Sequence, residues 1–526
     1  MTNERVLERI VLDQSVGTEL TQLLLEGDII VPDIKPDMAI MLQADAKLAI
    51  MRTEVLTDRV SFVGKLYIQV LYLARGEEKR VHSISLNAPV DDFINIDGVS
   101  PDMWVDIRPD IASLDFRMIN DRKINYKAIV EITVKAEAQE AFDVVVDIEG
   151  LPANQQLKNT LTLNKSVTSK ADRFVVKDNI AVPQGKANIR EILQSSIEVG
   201  NQDVRVQNGK VNIFGDLLVT TLYKGEDDES IIEFMEHEIP FNGNIEMPDV
   251  KEDMFADCSF SLSEQNVQIK PDEDGEDRLV EIEVAVNVNA KVSAAISIEV
   301  LEDAHMINKQ LDMTRQSVKY HKLVSRNKNQ STIKEVLSLS DNCPDILQIF
   351  RVKGKVSTDE VKILSDKVVV EGAIEADILY IAESDETPLF SHKAMIPFRQ
   401  IMEMKGATAD MLVSLTACVD HVGFNMLSGR EVEARFLVSF NATVSKAMEA
   451  SMVTDIVISD LGRSVVDSMP GIILYVVQNG DSLWKIAKDY NTSIDEISAI
   501  NEIDNPDKLS VGQKLLILKK AAMEDE

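Results

Sequence analysis

Six histidines (His82, His237, His305, His321, His392 and His421) and three cysteines (Cys258, Cys343 and Cys418) have the most to offer catalysis or metal binding. Neither set is arranged for it. No histidine has a second at the short spacing that puts two imidazoles on one metal, and the cysteines are widely separated with no Cys-x-x-Cys pair. There is no Gly-x-x-x-x-Gly-Lys-Ser/Thr loop to cradle phosphates and no Gly-x-Ser-x-Gly turn to expose a nucleophile. The 88 acidic residues concentrate in runs between apolar stretches, where solvated charge explains them without chemistry. Dispersed triads leave no local signature. The expectation is a protein that is not an enzyme and uses no cofactor and no metal.

Binding chemistry is concentrated near the C-terminus. The run from Leu474 to Gln478 reads as a strand, and Asn479-Gly480-Asp481 turns the chain, leaving Asp481 or Ser482 to cap a helix. In that helix Leu483, Ile486, Ala487 and Tyr490 fall on one apolar stripe. A second helix starts at Ser493 with Glu496 three residues on, the spacing of a capping box, and ends near Asn501. A last strand follows within 511–518. Trp484 lies one step off the buried stripe, where an aromatic can anchor a partner. Ile472 belongs to Gly471-Ile-Ile-Leu-Tyr-Val-Val, which is apolar on both strand faces, more than a two-layer module needs.

Through Tyr475-Val-Val-Gln-Asn-Gly-Asp-Ser-Leu-Trp-Lys-Ile-Ala487, Ile500-Asn501, Asn505-Pro506 and Gly512-Gln-Lys-Leu515, this βααβ segment resembles a LysM domain. The resemblance implies affinity for N-acetylglucosamine polymers such as peptidoglycan or chitin. It places their groove between the loops at 480–483 and 503–509. The candidate contacts are therefore Gly480, Asp481, Ser482, Trp484, Ile503, Asp504, Asn505, Pro506 and Leu509, with Ile472 beside them.

The N-terminal residues have charges spread among their apolar positions and do not read as a signal peptide, and no apolar run approaches the roughly 18 residues that cross a bilayer. An odd number of scattered cysteines reads as free thiols in a reducing compartment. A LysM domain held there meets no finished wall, so a protein surface is its expected ligand. The 55 basic and 88 acidic residues give a net charge of −33, which repels phosphate backbones and anionic head groups. Nucleic acid and direct membrane docking are not expected.

The preceding residues carry an internal repeat. Gly64, Tyr72, Pro89 and Met103 are separated by 8, 17 and 14 residues; Gly215, Tyr223, Pro240 and Met254, and Gly372, Tyr380, Pro397 and Met411, repeat these spacings. Pro36-Asp and Pro344-Asp each fall 28 residues before their glycine, while the middle copy has Ala187-Asn there and is the divergent one. Alternating apolar residues around each glycine predict antiparallel strands, with tight turns at Thr57-Asp58, Asn208-Gly209 and Ser365-Asp366. The stretches 38–42, 189–193 and 346–350 read equally as helical turns or strand entries. Glycine in a strand marks a close approach, proline an edge, and the recurrent methionines core filling.

Three such β domains followed by a LysM domain resemble the clostridial spore-coat morphogenetic proteins of the SipL type, in which SPOCS domains precede a LysM domain. The fold class implied is multidomain and mainly β: an extension at 1–30, SPOCS-like repeats at 31–140, 182–295 and 338–450, a linker at 451–471 and the LysM domain at 472–519. Each repeat is expected to fold separately, with cleavable connections between. The resemblance further implies a non-enzymatic adaptor of the mother-cell cytoplasm, recruited to the forespore surface through LysM binding to the coat ATPase SpoIVA. Other coat proteins are candidates for the repeats. The alternative is a protein that binds peptidoglycan in wall or cortex.

Overall fold

The computed structural model describes residues 4–76, 80–226, 232–307, 309–384, 388–460, 470–506 and 508–518. Among them each repeat is six antiparallel strands in two three-stranded sheets. The first has β1 (Arg5–Ile30), β2 (Met38–Leu56), β3 (Arg59–Ala74), β4 (Val81–Asn95), β5 (Trp104–Asn120) and β6 (Lys123–Ile148), in the orders β2-β3-β4 and β1-β6-β5. The second has β7 (Gln156–Ala181), β8 (Ile189–Gln207), β9 (Lys210–Gly225), β10 (Ile232–Glu246), β11 (Phe255–Lys270) and β12 (Leu279–Ala304). The third has β13 (Lys309–Ser338), β14 (Ile346–Leu364), β15 (Lys367–Ala382), β16 (Leu389–Glu403), β17 (Leu412–Ser428) and β18 (Glu431–Asp460). The inward faces of the central strands, such as Val60, Phe62, Leu66 and Ile68 on β3 and Ile124 to Ala136 on β6, interdigitate as one sandwich core per repeat.

The repeated residues have structural work. The three predicted turns are two-residue hairpins, with φ of 56° at Asp58, 80° at Gly209 and 59° at Asp366. A Cβ on Gly64 would sit 2.7 Å from the carbonyl oxygen of Ala49 on the paired strand, so only glycine fits. Tyr72, Tyr223 and Tyr380 are fully buried and donate to the carbonyls of Pro36 (3.0 Å), Ala187 (3.3 Å) and Pro344 (2.8 Å). Because the acceptor is backbone, the middle copy loses nothing by replacing the proline. Pro89, Pro240 and Pro397 lie on the edge strands β4, β10 and β16. The ambiguous stretches near 38, 189 and 346 are strand entries, each with bulges.

The boundaries differ from those expected. Residues 5–30, marked as an extension, are β1, paired with β6 along its length. The stretches between repeats, 141–181 and 296–337, are largely strand, and β18 runs to Asp460 through part of the expected linker. Residues 461–469 lie outside the described residues. These long strands are half-exposed and rich in polar residues, so their alternation is weak in sequence.

Their apolar residues meet across repeats. Ile10, Leu161 and Val318 occupy one repeat position, Leu12, Leu163 and Tyr320 another, and all six share a single buried cluster. A second cluster joins Leu71, Leu222 and Leu379, again one position in three copies, with Leu193 and Phe350. The end of β3 is accordingly buried on both faces, which explains the unbroken run Val70-Leu-Tyr-Leu-Ala74. Equivalent residues in common contact place the three repeats around a quasi-threefold axis. Between the clusters lies a cavity of about 2060 Å³, whose lining runs from Leu12 and Tyr320 to Lys47 and Glu198. A third cluster joins Val145 and Ile148, Leu301 and Ala304, and Val453 and Ile456, so the separately folding units expected from sequence share three cores.

Candidate functional site

The C-terminal module has β19 (Ile472–Val476), α1 (Leu483–Asp489), α2 (Ile494–Ile500) and β20 (Lys514–Leu518), with the strands antiparallel. Ser482 caps α1, accepting from the Lys485 amide at 3.3 Å, and Ser493 caps α2, accepting from the Glu496 amide at 3.2 Å. Asp481 has a different task. Its carboxylate accepts from the Tyr475 hydroxyl at 2.6 Å and the Gln478 amide at 2.8 Å, fixing the loop ahead of α1. The hydrogen bond to Asp481 pushes the Tyr475 phenol up to about 12 and, reciprocally, holds the Asp481 carboxyl below its ordinary value. Leu483, Ile486 and Ala487 are buried against Val477, Ile497, Leu515 and Ile517.

The expected site residues divide into three groups. Gly480, Ser482, Asp504, Asn505 and Pro506 are exposed, and Asp481 half-buried, at the mouths of the two loops. Ile503 and Leu509 instead pack against the module's own core. Trp484 turns away from solvent toward the repeats. Its indole Nε1 donates to Asp303 Oδ2 at 3.3 Å, and its ring meets His305 edge-on with centroids 4.8 Å apart. Lys488 reaches both Asp303 oxygens at 2.7 Å, His305 Nε2 lies 3.0 Å from the Thr492 carbonyl, and Asn154 donates to Asp495. Burial is the main influence on His305, lowering its pKa, while the Thr492 carbonyl opposes it. The module is thus seated on the end of the second repeat, through contacts that sequence spacing could not reveal.

The opposite side of the module is exposed among the described residues. Ile472 is 70% exposed and Leu474 64%, and Val476, Leu516 and Leu518 continue the same sheet face. Side chains alternate across a strand, so these five residues point away from the helices together. The doubly apolar run at 471–477 signals this face, although Leu516 and Leu518 become visible only once the strand pairing is known.

The SipL, SPOCS domain family matches residues 37–119, 188–270 and 345–427, and the LysM domain family matches 475–518. The chain is a SPOCS–LysM protein of the SipL type. In structural terms each SPOCS match spans the four middle strands of a repeat, from β2 to β5 in the first. The long outer strands that build the Ile10–Leu161–Val318 cluster flank it, whereas the Leu71–Leu222–Leu379 cluster lies within the matched strands. Among curated proteins the chain is similar to the cortical fragment-lytic enzyme of Bacillus subtilis (strain 168), 50% identical over 44 residues, which are 8% of this chain and 10% of that one. It is also similar to SpoIVD-associated factor A of the same organism, 40% identical over 45 residues, 8% of this chain and 12% of that one. The chain thus spans about a tenth of the length of these relatives. No solved structure matches. SPOCS and LysM are binding domains. No helix among the described residues is long and apolar enough to cross a membrane.

Proposed function

We propose that this SPOCS–LysM protein is a non-enzymatic adaptor of spore-envelope assembly, working at the forespore surface from the mother-cell side. Its LysM module docks a protein partner of the SpoIVA coat-ATPase type, and its three repeats form the body that presents the module. The observation that carries this reading is the exposed apolar sheet face of Ile472, Leu474, Val476, Leu516 and Leu518. A sugar polymer is recognised by polar groups and ring faces, whereas a flat patch of aliphatic side chains gains from burial against another protein. The likeness to a protein named for association with a sporulation factor agrees with a protein ligand.

Co-purification tests it. The full chain should retain the ATPase and the chain ending at 465 should lose it; retention by the shorter chain would place binding on the repeats. A second reading, peptidoglycan binding, is favoured by the exposure of Gly480, Ser482, Asn505 and Pro506 and by the likeness to an enzyme of cortical fragments. Pull-down on insoluble peptidoglycan with no retention of the ATPase would establish that reading instead.

A further inference from the structure

The register that brings Leu71, Leu222 and Leu379 together also brings together three polar residues. Immediately after Leu42, Leu193 and Phe350, which pack in the same cluster, come Gln43, Gln194 and Arg351, only 8%, 2% and 3% exposed. Among the described residues the Arg351 nitrogens Nε, Nη1 and Nη2 have no hydrogen-bond partner, nor do Gln43 Oε1 and Gln194 Oε1; the guanidinium meets only the ring of Phe350, 5.7 Å from its centroid. A buried guanidinium in that condition is costly, because its hydration is lost and not replaced. Leucine, present at neighbouring positions of the cluster, would carry no such cost.

Charge in the surrounding column points the same way. Two residues further along each strand stand Asp45, Ser196 and Lys353, and two further Lys47, Glu198 and Lys355. Lys353 Nζ lies 3.3 Å from both the Asp45 and Glu198 carboxylates. Lys355 turns aside to Asp110 at 2.6 Å. Burial raises the pKa of Asp45, yet Lys353 and Arg351 outweigh it and the carboxyl ends below its ordinary value, which places Arg351 within its electrostatic reach. Lys47 and Glu198 line the central cavity, and Lys47 interacts with Glu198, Lys353 and Asp45. Arg351, Lys353 and Lys47 thus face two carboxylates, Asp45 and Glu198, with burial, the largest influence on Lys47, lowering its pKa.

We propose that Arg351, Gln43 and Gln194 form a binding site for one small oxyanion of the sulfate or phosphate type, where the three repeats meet. The guanidinium offers its planar fork of N–H groups to two oxygens of such an anion. Half a turn of either glutamine amide presents donor hydrogens where Oε1 stands. Burial restricts the ligand to a small ion, so a phosphorylated protein does not fit. The bound anion would tie one strand of each repeat to a common point.

The full chain, titrated with sodium sulfate against sodium chloride at constant ionic strength, should show a saturable Tm rise of about 2 °C or more. Calorimetric titration should give one sulfate per chain. Arg351→Gln should lose the saturable part and keep only the general salting effect of sulfate. The proposal is overturned if sulfate and chloride act alike on the wild type, or if Arg351→Gln responds as the wild type does. Should Arg351→Gln not fold, Gln194→Leu keeps the arginine and should weaken sulfate about tenfold; unchanged affinity would equally overturn the site.

Discussion

The two sides of the LysM module carry apolar side chains of similar size and meet opposite fates. On the helix side, Trp484 brings an indole N–H and Thr492 a carbonyl, and both find partners at Asp303 and His305 of the second repeat. On the sheet side, Ile472, Leu474 and Leu518 bring only carbon and stay in solvent. Polar atoms demand specific partners when covered, so the helix side is fitted to one seat within the same chain. An aliphatic face makes no such demand and can serve a separate molecule. The repeats thereby orient the module, holding one side and turning the other outward.

The comparison breaks first if the module itself is lost. Ile486→Ala removes a side chain 2% exposed from a very small core and should cost about 2–5 kcal/mol, enough to unfold the module while the repeats persist. Selective loss of the LysM helical signal would show it; an unchanged melt would mean the core is misassigned. Leu222→Ala, in the cluster shared by three repeats, should cost a similar amount but lower one common melting transition of the whole body. Three independent transitions would contradict the shared cores.

Trp484→Ala sharpens the contrast. It should leave the module folded and loosen its seat, raising hydrogen exchange at 303–305, at a cost of about 1–3 kcal/mol to docking. Unchanged protection there would mean that the seat rests on Lys488, Thr492 and Asp495.

A smaller effect concerns His82, held low, at about 4, by burial and then by Lys224, with Lys35 and Arg80 adding to Lys224 and Glu191 opposing them. A folded pKa below the ordinary histidine value means its contribution is intact above pH 6.5 and fades as pH falls toward 4. His82→Asn should flatten that part of the stability profile. An identical profile would place the acid sensitivity in the carboxylates.

Much of this was legible in sequence where local chemistry decides structure. Asn208-Gly209 specified a hairpin, Ser482 and Ser493 specified caps, and the glycine–tyrosine–proline spacing specified three copies of one domain. What escaped depends on distant partners. Arg122, Arg278 and Arg430 each clamp the loop before the second strand of their repeat, bonding Asp37, Asn188 and Asp345; the first and third stand at one spacing from their repeat's glycine, but Arg278 stands farther from its own, which hides the correspondence in the middle copy. Arg122 also explains the aspartate of Pro36-Asp37. The seat of Trp484 and the shared clusters join residues more than a hundred positions apart, so no window of sequence contains them. Ile503 and Leu509 lie in the loop that the LysM resemblance sets beside the groove, and their side chains pack on the module's core.

The account stands or falls on the bare sheet face. Binding of the full chain to the SpoIVA-type ATPase should be measured beside the Ile472→Glu and Leu474→Glu variants, with thermal melts of each. Both sites are exposed, so melting should change by no more than about 0.5 kcal/mol, while a carboxylate forced into an apolar interface should abolish binding. Variants that remain folded and bind the ATPase as tightly as the wild type would contradict the account.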